Sequence, residues 1–94
     1  MNETAEQTAG AEYVLSKSMV CRRFRKRSRA LAVGAVDYLG SHDVNEPHAR
    51  DGLREHLRLV VMQQKLGNPI LIWILLNIVI PIVIRLIIEW WKNR

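Results

Sequence analysis

The stretch from Ile70 to Trp91 constrains this chain more than any other segment. Eighteen of its 22 residues are apolar, and both faces of any helix drawn through it are greasy. At 1.5 Å per residue a helix of this length measures about 33 Å, enough for a hydrocarbon core of about 30 Å. Eleven of the 22 are Ile or Val, residues that favour strands in water. A lone strand cannot satisfy its backbone in lipid, whereas a helix satisfies it internally. The segment therefore reads as a single transmembrane helix over 69–94 with a short C-terminal tail. Trp90, Trp91 and Lys92 are its expected anchors at the membrane–water interface.

Four residues break the apolar run: Asn77, Pro81, Arg85 and Glu89, spaced four apart. This spacing advances about 40° per step, so they share one side of the helix. Pro81 has no N–H and leaves the carbonyl of Asn77 without its usual partner. Asn77 lies mid-span, where it cannot reach water. Asn77, Pro81 and Arg85 are thus the expected helix–helix contact in the membrane. Arg85 and Glu89 stand at i, i+4, a spacing at which they can pair. Snorkelling toward the interface is the competing reading for Arg85.

The 68 residues before the span form at most one small unit. Residues 1–11 are small and polar and read as a mobile tail. Residues 12–68 read as a basic amphipathic region with helices at about 12–39 and 46–66. In the first, Tyr13, Val20, Phe24, Leu31, Ala35 and Tyr38 recur at helical steps. In the second, Leu53, Leu57, Val60 and Val61 mark one face, with Asn45 as cap and Gly67 as terminator. Asn68-Pro69 then opens the next helix as N-cap and first residue. The expected fold is all-α: two amphipathic N-terminal helices followed by one transmembrane helix.

Charge is concentrated. Residues 1–16 carry −3, residues 17–29 carry +7, and the whole chain +5. Arg22, Arg23, Arg25, Lys26, Arg27 and Arg29 make a dense cationic segment. Its expected partners are anionic lipid headgroups or nucleic acid. No nucleic-acid reading motif accompanies it. Arg50, Arg54, Arg58 and Lys65 precede the span and outnumber Lys92 and Arg94 beyond it. That asymmetry places the N-terminal region on the cytoplasmic or interior side. Arg22-Arg23 before an Ala-rich run imitates a twin-arginine signal, but Phe24 is misplaced for that motif and Asp37 interrupts the run.

Chemistry-bearing constellations are lacking. One cysteine allows no internal disulfide. His42, His48, His56 and Cys21 match no zinc spacing. No nucleophile–base arrangement or phosphate-binding loop is visible, so neither an enzyme nor a cofactor is expected. The expected role is a structural, assembly or accessory component of a larger membrane-associated complex, and the architecture would equally suit a membrane-associated protein of a virus or phage. The expected partners are the bilayer and either copies of itself or such a complex. The competing architecture is a holin-like or channel-forming homo-oligomer.

Overall fold

A computed structural model describes residues 4–94, and it is all-α, with no strand among those residues. Thr4 begins it. Its side chain accepts from the Gln7 amide at 3.2 Å, and its own amide donates to the Gln7 side chain at 2.9 Å. This reciprocal capping satisfies two backbone donors and starts α1 at Ala5, running to Lys17. The segment expected as a tail over 1–11 is therefore helical from Ala5. Residues 1–3 lie outside the described residues.

The first expected helix, 12–39, is interrupted twice. Ser18 is extended at φ −129°, ψ 124°, and its hydroxyl accepts from the Cys21 amide. It closes α1 and caps the short α2, Met19–Arg23. Phe24, at φ −108° and ψ 49°, separates α2 from α3, Arg25–Ser41. Helix α3 buries Leu31, Ala32, Val33, Ala35, Val36 and Leu39. Tyr13, Val20, Phe24 and Tyr38 from the expected face only edge this core.

Helix α4 spans Ala49–Gln63, shorter than the expected 46–66. Asn45 does not cap it: its amide donates to the Asp43 carboxylate at 2.9 Å in the preceding loop. Ala49, Leu53, Leu57 and Val61 are buried at four-residue spacing. At its end the left-handed position falls on Lys65, φ 51°, rather than on Gly67. Asn68 then caps as expected, its side chain accepting from Ile70 at 2.9 Å and Leu71 at 3.4 Å. Pro69 leads α5, Pro69–Ile74. A π-helical turn, Leu75–Val79, joins it to α6, Ile80–Asn93. In that turn the Ile80 amide donates to the Leu75 carbonyl, five residues back. The wider turn falls just where Pro81 removes a donor from the ordinary ladder.

The α5–α6 rod is the one helix among the described residues that is long and apolar enough to cross a membrane. It has 25 residues and a mean hydropathy of 2.7 over its most apolar stretch. Helices α1, α3 and α4 pack against its second half. Val79, Val83 and Ile87 are fully buried there. No α5 residue is buried, and Ile70 and Trp73 are 69% and 58% exposed. A core helix of a water-soluble bundle would be mostly covered, whereas only 33% of this stretch is.

Helix α1 reaches α6 through a close approach. A Cβ on Gly10 would lie 2.9 Å from Val36 Cγ2 and 3.2 Å from both Ile87 Cδ1 and Trp90 Cζ3. Only a bare Cα lets the three helices meet at this depth. Polar ties flank the contact. Gln7 donates to Asp37 of α3, and Glu6 pairs with Arg94.

Candidate functional site: an arginine-lined cleft

The apolar face of α4 settles the cleft. Leu53, Leu57 and Val61 point inward, so the arginines between them point out. Arg50, Arg54 and Arg58 repeat every four residues and form one row. Arg50 and Arg54 face Pro81, Ile84 and Arg85 across an open space of about 330 Å³. Arg54 and Arg58 face Leu76, Asn77 and Ile80 across an adjoining space of about 230 Å³. Low numbers on α4 oppose high numbers on the apolar helix, so the two run antiparallel. Arg54 lines both spaces and makes them one groove.

The groove is cationic with an apolar floor. Arg58 is held by Glu55 at 3.4 Å. Asp51 contributes one carboxylate, and it lies 4.0 Å from His48. Arg50, Arg54 and Arg85 are exposed and have no carboxylate partner among the described residues.

The polar stripe of the apolar helix is thereby located. Asn77, Pro81, Arg85 and Glu89 are all exposed, on the side away from the buried face. Asn77 does not reach another helix. Its side-chain amide donates to the Trp73 carbonyl one turn earlier, at 3.0 Å. Arg85 and Glu89 do not pair. Glu89 instead accepts from the Tyr13 hydroxyl of α1. Desolvation of half-buried Tyr13, then the charge of Glu89 and that hydrogen bond, push its pKa above the ordinary phenol value.

The cationic segment is partly consumed by the fold. Glu12 holds Arg29 at 2.7 Å and Arg25 at 3.5 Å. Arg27 donates to Gln64 at 3.1 Å, tying α3 to the end of α4. Arg22, Arg23 and Lys26 remain exposed. Arg23, Lys26 and Leu71 line a common hollow, so the segment lies beside the uncovered start of the apolar helix.

At the far end Trp90 and Trp91 are half-buried and meet edge-on at 6.2 Å. The Arg94 guanidinium sits 3.7 Å from the centre of the Trp91 ring, a cation–π contact. Lys92 is exposed. The sequence marks the α4 arginines as the basic flank of the apolar helix, not as one wall of a groove. Their four-residue spacing was the available signal; the opposing wall was not visible. No group of three or more His, Cys, Asp or Glu among the described residues is placed to hold a metal ion. Comparison with protein-family models, with curated proteins and with solved structures gives no match to this chain.

Proposed function

We propose that this chain is a small membrane protein that serves as an assembly or accessory component, with Pro69–Asn93 as its single anchor. The observation that carries the reading is the uncovered first half of that helix. An apolar rod exposing Ile70, Trp73 and Ile78 at 69%, 58% and 38% has no stable place in water. The exposed Arg22, Arg23 and Lys26 beside Leu71 support an anionic surface as the neighbour. They also support the cytoplasmic or interior side for the N-terminal region.

Vesicle flotation with protease protection tests this reading. The full chain is reconstituted into vesicles and digested from outside. Protection of a fragment covering residues 69–94, with loss of the N-terminal helices, is the expected result. A chain that stays with the aqueous fractions, or whose apolar helix is cut as readily as α4, refutes it.

A further inference from the structure

We propose that the groove between α4 and the apolar helix holds the phosphate headgroup of an anionic phospholipid. The inference rests on the membrane reading above and adds a site to the surface-bound bundle, before Pro69–Asn93 inserts. Three observations converge on this occupant.

The first is charge. Arg50, Arg54 and Arg85 border the groove from two helices, without carboxylate partners, and Asp51 offsets one of them. Guanidinium groups present paired donors that match phosphate oxygens. The second is the floor. Pro81 and Ile84 lie between these cations, and Leu76 and Ile80 continue the surface past Arg54. A phosphate with an acyl chain satisfies both rim and floor, whereas a free anion would leave the floor wet. The third is what a second copy could offer. Of the carboxylates a second copy carries, Glu6 and Glu12 are already paired with Arg94, Arg25 and Arg29, and Asp37 and Asp43 already accept from Gln7 and the Asn45 amide. Face-to-face pairing of two grooves would set arginine against arginine.

The site belongs to the closed bundle lying on a bilayer surface, since the groove exists only while α4 lies along the apolar helix. It is distinct from the segment Arg22–Arg29, which sits beside Leu71 rather than beside Arg85.

The test compares flotation of the full chain with vesicles of phosphatidylcholine and of equal parts phosphatidylcholine and phosphatidylglycerol. The double variant Arg54→Gln/Arg85→Gln is set against Lys17→Gln/Lys65→Gln, which removes the same charge elsewhere. All four residues are exposed, and unchanged circular dichroism confirms each fold. The arginine pair is expected to lower partitioning onto anionic vesicles about tenfold to thirtyfold in about 0.15 M salt, where the screening length is about 8 Å. Its partitioning onto neutral vesicles is unchanged. The lysine pair is expected to lower anionic partitioning less than about threefold, because charges distant from a bound headgroup are screened. Equal losses from the two pairs, or no loss from the arginine pair, overturn the headgroup site and leave the membrane reading standing. A wild-type chain that floats with neither vesicle overturns both.

Discussion

Gly10 offers the sharpest test of how α1 is held. Replacing glycine with alanine inside a helix ordinarily stabilises by about 0.5–1 kcal/mol, through reduced backbone entropy. At Gly10 that gain meets packed neighbours on three sides. The new Cβ would sit 2.9 Å from Val36 Cγ2, below real carbon contacts, and 3.2 Å from Ile87 Cδ1 and Trp90 Cζ3. Ile87 is fully buried and Val36 is 5% exposed, so neither can swing into solvent. Overpacking of this kind costs about 1–3 kcal/mol. Gly10→Ala should therefore range from neutral to about 2 kcal/mol destabilising. Gly40, also helical, has nothing within 4 Å of its Cβ position and is exposed. Gly40→Ala should gain the full propensity term. Denaturant unfolding followed by circular dichroism and by tryptophan emission, to which Trp90 contributes, measures both. Separation of the two variants by about 1–3 kcal/mol is expected. If Gly10→Ala stabilises as much as Gly40→Ala, α1 does not approach α3 and α6 as described.

Tyr13 makes the α1 contact sensitive to alkali. Its pKa is raised in the fold, so its contribution is complete below the unfolded phenol value of about 10 and fades as pH rises through the higher folded value. Alkaline unfolding should shift to higher pH in Tyr13→Phe, as read by circular dichroism against pH. Ser28 is fully buried and its hydroxyl has no hydrogen-bond partner among the described residues. Ser28→Ala should be neutral or stabilise by up to about 1 kcal/mol in urea unfolding, since it removes an unsatisfied group. Leu57, fully buried in α4, should cost about 2–5 kcal/mol as Leu57→Ala. Asn77→Leu should leave oligomeric state in detergent unchanged by sedimentation, because the amide it removes bonds only within its own helix among the described residues.

Features written in local chemistry were legible, and those written in register were not. Asn68-Pro69 announces a helix start because cap and first residue are adjacent, and the structure places both there. Leu53, Leu57 and Val61 declare their face by spacing alone. The capping box at Thr4 and Gln7 was also present as residues, yet the polar, small composition around it argued for a tail. Ser18 was lost in the opposite way, as a polar residue inside a periodic run, although serine is among the strongest cap residues. Glu89 has its i−4 neighbour Arg85 as the obvious partner, and only the docking of α1 brings Tyr13 to it instead. The groove is the extreme case. Its two walls are separated by the turn at 64–68, and their pairing depends on α4 folding back antiparallel.

The fold-back and a spanning helix exclude one another. Were the pair to cross a bilayer intact, Arg50, Arg54 and Arg58 would enter the hydrocarbon with it, since they run beside Leu76–Arg85. Insertion scales assign about 2.5–3.5 kcal/mol to each arginine at mid-depth, so the three oppose crossing by roughly 8–10 kcal/mol. Separation costs less. Val79, Val83 and Ile87 lose protein neighbours but gain lipid of similar polarity, so their burial is exchanged rather than lost. On α4, Leu53, Leu57 and Val61 can lie in the membrane interface with the arginine row turned to headgroups, the arrangement of a surface amphipathic helix. A spanning Pro69–Asn93 thus requires α4 to leave it. The chain between them, Gln64–Asn68, is where the angle must change, and Lys65 already sits there in the left-handed region at φ 51°. Glycine is the residue that adopts that region without strain, so Lys65→Gly stabilises the turn that holds the closed arrangement. Slower protease protection of the apolar helix in that variant, after mixing with anionic vesicles, is the expected sign that release of α4 limits insertion. An unchanged rate would place the limiting step elsewhere.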